Sequence, residues 1–322
     1  MKNSAIKTQN NQVMPAGSRL WSPEKIGGDL VYWLQPKGIS AEVGTDLSTL
    51  NANRWMDSSF NRYALQGPDS QSVSAVLPFK FTTLGITFGA TGKSFLTVDS
   101  KVSSGGGGGC FPDDDAPRID PGTGAFTIIT VCRLVKSASA SVPYSGTKLT
   151  IAADGQSGSS SASNFVFQLK VNSNSSSDPS VLSIGVTCGT AAGIQHTIQS
   201  KSGNSQVFDE NDFMFAYDRD GSGNAELFKD GASVATATGQ NADMSDSGPR
   251  NIFCQVVFQT GSGSSGFIYG SDNAEHRIAE TICFNNNDAT TRILCEGYLA
   301  HKYGRQDTLP STHKYRYGPP KV

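Results

Sequence analysis

Closely spaced carboxylates are the groups in this sequence best suited to hold an ion or to take part in acid–base chemistry. Asp113, Asp114 and Asp115 follow one another in the stretch CFPDDDAPRID. Three adjacent carboxylates repel one another unless a cation or a basic partner neutralises them. The stretch therefore predicts a solvated acidic loop, with a calcium site or a contact with a basic partner surface as the alternatives.

A second acidic stretch, YDRDGSGNAELFK, imitates part of a calcium-binding loop through Asp218 and Asp220. An EF-hand loop needs a bidentate Glu at its twelfth position, where this chain has Lys229. The residues of DGSGN favour a tight turn between two strands. We therefore predict a hairpin turn, with Asp218 and Asp220 as weak metal candidates. A structural calcium ion is the one cofactor that these patterns suggest.

The carboxylate pattern of a glycosidase whose active site lies on β-strands is absent from the sequence. A retaining enzyme holds two carboxylates roughly 5–5.5 Å apart, which on a strand requires alternate positions on one face. In VFDENDF, Glu210 and Asp212 share a face, but Met214 follows them and no further carboxylate does. The histidines form no H-x-x-x-H or H-E-x-x-H pattern, and no G-x-S-x-G elbow occurs. We predict no enzymatic activity, and a glycan hydrolase is the weakest alternative.

Loop residues suited to sugars form another candidate site. Sugars present hydroxyl groups and apolar C–H faces, so a lectin-like site combines carboxylates or amides with an aromatic platform. The candidate glycan contacts are Phe111, Tyr144, Asn224, Tyr269 and Asp272. Many loop-rich β-proteins carry such residues, so they indicate a class of ligand and not a particular sugar.

The elements that position these residues are short β-type runs separated by Gly, Ser, Asn and Asp. Phe165, Phe167 and Leu169 alternate with polar residues and are predicted to share one face. Other runs, such as GAFTIITVCRLV, are continuously apolar, as expected of strands between two covered faces. Ten or more such runs with almost no helical periodicity predict a β-sandwich or barrel.

One stretch, NNNDATTRILCEGYLAHKYG, has a helical pattern. Asp288 is predicted to cap its N-terminus and Gly304 to end it. Leu294, Tyr298 and Tyr303 form an approximate apolar stripe that is predicted to pack on the sandwich.

Composition excludes several function classes. The 322 residues carry a net charge of −2 and only 17% charged residues, which gives no basic field for nucleic acid or an acidic membrane. The N-terminal segment lacks the apolar core of a signal peptide, and no run reaches the roughly 18 apolar residues of a membrane span. We predict a polar arm over residues 1–26 and one domain over residues 27–322. None of the six cysteines belongs to a C-x-x-C motif, and we predict that they are buried free thiols.

The segment IAETICFNNNDATTRILCEGYLAHKYGRQDTLPSTHKY resembles the C-terminal signature of a family of concanavalin A-like (LamG-like) jelly-roll domains. That signature has I-A-E, then a helix reading roughly E-x-Y-L-A-x-K-W, then Leu-Pro with a nearby His and Tyr. The matching residues are Glu280, Glu296, Tyr298, Leu299, His301, Lys302, Leu309, Pro310, His313 and Tyr315. Tyr303 stands where the family usually has Trp. Trp55 and Asp57 belong to a stretch that is similar to an earlier segment of the family.

The resemblance implies an all-β concanavalin A-like jelly-roll β-sandwich with one short C-terminal helix and an extended N-terminal arm. We predict that the C-terminal residues close one edge of the sandwich and perform no chemistry. The family is abundant in phage virion proteins and in bacterial surface proteins.

The resemblance also implies a function. We expect a structural protein of a phage virion, either a capsid decoration (cement) protein or a head or tail fibre component, made in the host cytoplasm. Its arm would dock on neighbouring capsid or tail subunits, or on further copies of this chain. The alternative is an adhesin module that binds a host surface polysaccharide.

Overall fold

The structure is a computed structural model, and the fold is described from the parts of the chain that it places. These are residues 19–35, 54–59, 64–66, 80–82, 85–88, 95–99, 122–136, 148–154, 165–172, 180–188, 193–201, 211–241, 250–254, 256–261, 264–269 and 274–322. In this part of the chain the strands form two large antiparallel sheets, together with a separate two-stranded hairpin.

The first sheet, sheet I, carries the strands next to the C-terminal helix. Its strands run in the order β14-β13-β12-β7-β18-β5-β4, and β1 also pairs with β18. Their bounds are β1 (Leu30–Leu34), β4 (Lys80–Thr82), β5 (Gly85–Phe88), β7 (Phe126–Lys136), β12 (Phe213–Arg219), β13 (Ala225–Lys229), β14 (Ala232–Ala237) and β18 (Ala274–Phe284). Helix α1 (Ala289–Lys302) follows β18, and short 3₁₀ turns span Pro23–Asp29 and Gln306–Thr308.

The second sheet, sheet II, has the order β11-β10-β9-β8-β15-β6-β3-β2. Its strands are β2 (Arg54–Met56), β3 (Ala64–Gln66), β6 (Phe95–Asp99), β8 (Lys148–Asp154), β9 (Phe165–Asn172), β10 (Ser180–Cys188), β11 (Ile194–Lys201) and β15 (Arg250–Cys254). The remaining hairpin joins β16 (Val256–Gly261) to β17 (Ser264–Tyr269).

An apolar core lies between the two sheets. The predicted alternation of β9 is confirmed, because Phe165, Phe167 and Leu169 are all fully buried in this core. Phe126 of sheet I meets Phe165 edge to face, with ring centroids 5.4 Å apart, an arrangement that aromatic pairs prefer. Two sheets that pack face to face around one apolar core form a β-sandwich.

A second apolar layer covers the outer face of sheet I. Ile129 and Val131 of β7 and Ala216 of β12 are buried there against Cys295 and Leu299 of helix α1. Residues of β7 are therefore buried on both faces of the sheet, as the continuous apolar run predicts. The fold class is confirmed as an all-β sandwich with one short C-terminal helix within the described residues.

The local signals at both ends of helix α1 are also confirmed. The Asp288 side chain accepts hydrogen bonds from the backbone amides of Thr290 and Thr291, and Gly304 adopts a φ of +67° just beyond the helix. The predicted apolar stripe packs against the apolar layer on sheet I, because Leu294, Tyr298 and Tyr303 are partly buried there. Cys295 and Leu299, which were not predicted, are fully buried beside them.

The N-terminal segment returns to the C-terminal end of the chain. The backbone amide of Trp21 donates to the carbonyl of Pro320 at 3.0 Å, and the Trp21 ring meets the Tyr298 ring with centroids 6.1 Å apart. Residues 19–26, the last part of the predicted arm, thus lie against the sandwich, and residues 1–18 lie outside the described residues. No helix in the described ranges is long and apolar enough to cross a membrane.

Buried thiols are present where the structure describes cysteines. Cys132, Cys283 and Cys295 are buried and free of disulfide bonds. Burial raises the pKa of all three thiols, because an apolar environment disfavours the thiolate. These cysteines therefore act as small hydrophobic residues, as the sequence predicts.

Candidate functional site

A cleft opens to solvent where the hairpin of β13 and β14, the end of β12 and the start of helix α1 meet. Its volume of about 550 Å³ lies within the range of about 300–1,000 Å³ that is typical of small-molecule sites. We refer to it as the rim cleft. Its described lining comprises Asp218, Asp220, Asn224, Ala225, Glu226, Thr236, Ala237, Thr238, Asn287, Ala289 and Arg292.

The register of three strands creates one wall of the rim cleft. Asp218 of β12 lies directly opposite Glu226 of β13, which in turn lies opposite Thr236 of β14. Directly opposed residues of antiparallel strands point to the same face. Further along that face, Ala216 and Phe228 lie under the helix. The outer face of sheet I therefore changes from apolar to polar just beyond the start of α1.

The turn between β12 and β13 holds the tip of this wall. The Asp220 carboxylate accepts hydrogen bonds from the backbone amides of Ser222 and Asn224 and from the Asn224 side-chain amide, each at 2.8 Å. These bonds, above all the one from the Asn224 side chain, lower the pKa of Asp220 because they stabilise the ionised form. Gly223 has a φ of +77°, which favours glycine in this turn. The predicted hairpin turn is present.

Buried ions form the base of the rim cleft. Arg292 Nε lies 2.7 Å from Asp218 Oδ2, and Arg292 Nη1 donates to Glu296 Oε1 at 2.7 Å. The guanidinium carbon lies 3.6 Å from the centroid of the Phe228 ring, a cation–π contact. Glu296 Oε2 extends the chain of contacts to His313 Nε2 at 3.2 Å.

The electrostatics of this base follow from its burial. Burial raises the pKa of Asp218 to about 6, although the charge of Arg292 opposes the shift. For Arg292, burial acts to lower the pKa, but the carboxylates of Glu296 and Asp218 outweigh it and the pKa is raised. Arg292 therefore stays cationic, with its charge balanced by two carboxylates of the protein itself.

A separate buried carboxylate, Glu280, lies beneath the other end of helix α1. Its side chain is fully buried and accepts hydrogen bonds from Trp33 Nε1 at 2.6 Å and Tyr303 Oη at 2.7 Å. Lys302 Nζ lies 2.6 Å from the same group. Burial, and after it the charge of Glu280, raises the pKa of both Tyr298 and Tyr303. Glu280 thus connects β18 with β1 and the helix, and its partners leave it no free face for a ligand.

The remaining residues of the C-terminal motif pack against one another. His301 Nε2 lies 2.7 Å from the carbonyl oxygen of Tyr315, and Leu309 is buried. The carbonyl of Pro310 accepts a hydrogen bond from the backbone amide of His313. A Cβ atom on Gly297 would lie 2.5 Å from Tyr315 Cβ, so the Glu-Gly-Tyr sequence of the helix allows the tail to pack closely. We propose that these contacts close the edge of the sandwich.

The structure describes few of the predicted ligand contacts. Asp113, Asp114, Asp115, Phe111, Tyr144 and Asp272 lie outside the described residues, as does the side chain of Tyr269 in β17. Asn224 lines the rim cleft together with the weak metal candidates Asp218 and Asp220. No group of three His, Cys, Asp or Glu side chains among the described residues is arranged to hold a metal ion.

The sequence interpretation missed several residues of the rim cleft. Glu226, Thr236 and Asn287 line it together with Arg292, yet none of them was predicted. The alternation of AELFKDGASVATA places Glu226 on a definite face of its strand. The strand register that sets Glu226 between Asp218 and Thr236 is not readable from that pattern.

Comparison with known proteins gives a likeness of fold only. No protein-family model matches the chain, and no curated protein matches it. The predicted LamG-like family is therefore not confirmed. A match to the crystal structure of the binding domain of Paraclostridial Mosquitocidal Protein 1 has 11% identity and a TM-score of 0.45, and covers 85% of this chain and 52% of the other.

Two further solved structures give similar values. The binding domain of Botulinum Neurotoxin serotype G matches with 13% identity and a TM-score of 0.44, over 88% of this chain and 53% of the other. The CBM40 of a Ruminococcus gnavus IT-sialidase, bound to α2,6-sialyllactose, matches with 11% identity and a TM-score of 0.37, over 55% of this chain and 84% of the other. The chain spans about half the length of the first two matched chains. At these values the likeness carries no conclusion about ligand or activity.

Proposed function

We propose that this chain is a non-enzymatic, glycan-binding β-sandwich module and that the rim cleft is its binding site. The observation that supports the proposal is the polar wall in which Asp218, Glu226 and Thr236 stand side by side across three strands. The proposal follows the alternative function that the sequence suggests, an adhesin module that binds a polysaccharide, and it adds a particular surface as the binding site.

The chemistry of the rim cleft suits a polyhydroxylated ligand. Carboxylate oxygens accept hydrogen bonds, hydroxyl groups donate and accept them, and amides do both. Sugar hydroxyls need this mixture of partners because each of them is both a donor and an acceptor. The methyl group of Ala289 offers a small apolar contact for the C–H face of a ring.

The rigidity of the site also favours binding. The wall belongs to a paired three-stranded segment of sheet I, and its base is fixed by the ion pairs of Arg292. A site on paired strands loses little conformational entropy when a ligand binds. The described lining contains no aromatic side chain, so hydrogen bonds and not ring stacking would orient the sugar.

The virion role predicted from the resemblance draws no support from the comparisons. The arm that would dock on capsid or tail subunits lies mostly outside the described residues. A structural role in a capsid or fibre is therefore not the function that we propose.

A glycan array followed by calorimetry tests the proposal. The full chain is expected to bind a subset of glycans, and Thr236→Val and Asn287→Ala are each expected to weaken that binding by roughly three- to tenfold, since a hydrogen bond contributes about 0.5–1.5 kcal/mol. The matched controls are Thr312→Val and Asn285→Ala, at exposed positions that do not belong to the described cleft lining. Equal affinity of all four variants would place the glycan site elsewhere, and the absence of any binding would refute the proposed function.

A further inference from the structure

The charge distribution of the rim cleft restricts the class of glycan that it can take. Its described lining carries three carboxylates, Asp218, Asp220 and Glu226, and a single cationic side chain, Arg292. The inference drawn from this distribution rests on the proposed function, because it concerns the ligand of the same cleft.

The positive charge of Arg292 is already balanced by carboxylates of the protein. Its guanidinium already lies 2.7 Å from both Asp218 and Glu296, and its face lies over the Phe228 ring. An acidic sugar that approached Arg292 would therefore lie close to two carboxylates that already match the charge of the guanidinium, and these would repel it.

The N-terminus of helix α1, which adjoins the rim cleft, offers no alternative anion site. Helix N-termini attract anions through their free amides and the helix dipole. Here the Asp288 carboxylate already accepts hydrogen bonds from the amides of Thr290 and Thr291. The positive end of the helix is therefore occupied by a carboxylate of the protein.

Two acidic side chains of the rim cleft, Asp218 and Asp220, are in contrast charged at neutral pH. The hydrogen bond from the Asn224 side chain lowers the pKa of Asp220. Burial raises the pKa of Asp218 to about 6, which still leaves this carboxyl mostly ionised at pH 7. A sialylated or uronic acid sugar in the rim cleft would face these negative charges, and the described lining offers no cation besides the already paired Arg292.

We infer that the rim cleft selects uncharged glycans and rejects those with a carboxylate on the sugar bound in it. The selectivity is electrostatic, so it weakens as salt screens the charges. The Glu226 side chain has no described hydrogen bond or ion pair, whereas Asp218 and Asp220 are both engaged by other groups of the protein. Replacement of Glu226 should therefore disturb the hairpin least. Glu226→Gln keeps the size of the side chain and removes one negative charge.

The test uses pairs of oligosaccharides that differ only in a terminal sialic acid, lactose and sialyllactose among them, with affinities measured at about 20 and 500 mM salt. For the native chain we expect the neutral member to bind roughly tenfold or more tightly at low salt, and the difference to shrink at high salt. Glu226→Gln should reduce the ratio of the two affinities, neutral over sialylated, several-fold and should still bind the neutral oligosaccharide. Glu24→Gln, at an exposed position outside the described cleft lining, is the matched control and should leave the difference unchanged.

The outcomes separate this inference from the proposed function. Equal or tighter binding of the sialylated members, weakened by Thr236→Val, would overturn the charge selectivity and leave glycan binding in place. A preference for neutral glycans that Glu226→Gln does not alter would also overturn it, because the selectivity would then have another origin. Failure of every glycan to bind would overturn the proposed function itself.

Discussion

At the scale of single residues, the two aspartates of the YDRDGSGN stretch differ in environment although they are two positions apart. Asp218 points to the base of the rim cleft and is paired with Arg292, whereas Asp220 closes the exposed turn through its bonds to Ser222 and Asn224. Their spacing suggests a shared ion in the sequence, but in the structure each carboxylate is engaged by different protein groups. Local geometry thus gives two identical side chains separate functions.

This difference predicts distinct titrations. Burial raises the pKa of Asp218 from an ordinary value of 3.8 to about 6, while hydrogen bonds lower the pKa of Asp220. Between about pH 4 and pH 6 the folded chain therefore retains a proton on Asp218 that the unfolded chain has released. The contribution of this group to stability should rise as pH falls through the folded pKa and be absent well above pH 6.

Carboxyl-carbon NMR measures both groups directly, with Asp218→Asn and Asp220→Asn used to assign the resonances. We expect a midpoint near pH 6 for Asp218 and one below the usual range for Asp220. In Asp218→Asn, the free energy of unfolding should vary less with pH between pH 4 and pH 6 than it does in the native chain. A midpoint near pH 4 for Asp218 would show that its carboxyl is solvated and not part of the cleft base.

At the scale of elements, helix α1 is attached to sheet I by two groups of charged residues. Arg292 and Glu296 anchor its first half, and Glu280 receives Trp33, Lys302 and Tyr303 near its end. These contacts explain why the buried face of the helix includes charged positions. They also show that the buried face of the helix is wider than the apolar stripe that the sequence predicts.

Removal of the Glu280 carboxylate should loosen this attachment. Glu280→Ala leaves the side-chain donors of Trp33 and Tyr303 without their acceptor, and buried donors left unsatisfied cost about 1–3 kcal/mol each. We expect a fall of this size in the free energy of unfolding, measured in urea. Glu24→Ala, on the exposed 3₁₀ turn, should change it by less than about 0.5 kcal/mol. A loss below about 1 kcal/mol for Glu280→Ala would contradict the structural role of this carboxylate.

The sequence predicts most elements of this fold where the information is local. Apolar runs indicate β7, β9, β12 and β13, and the caps of helix α1 follow from Asp288 and Gly304. Strand β11 (Ile194–Lys201) was missed because its sequence, IQHTIQSK, is mostly polar, as suits a strand at the edge of sheet II.

The rim cleft was predictable only in part, for the same reason. Asn224, Asp218 and Asp220 were found because they belong to one turn whose chemistry can be read locally. Thr236 and Arg292 reach the cleft through strand register and a tertiary ion pair. Such long-range pairings are set by the packing of the whole sheet and leave no signal in a single sequence.

At the scale of the whole molecule, the sandwich separates stability from binding. The inter-sheet core and the layer beneath helix α1 supply two apolar clusters, and the rim cleft lies at the edge of the second cluster, where the sheet extends beyond the helix. The two ends of the described chain meet elsewhere on the body, where the amide of Val322 donates to the carbonyl of Arg19 at 2.9 Å. The rim cleft therefore lies on elements whose packing does not depend on a bound ligand, as expected of a rigid binding module.

The most direct test of this account is a backbone amide NMR titration of the full chain with the tightest-binding neutral glycan from the array. Glycan binding in the rim cleft predicts shifts confined to residues 218–226, 236–238 and 287–292, and a weaker response in Thr236→Val. Shifts concentrated at another surface, with these amides unchanged, would contradict the central claim that the rim cleft is the glycan site.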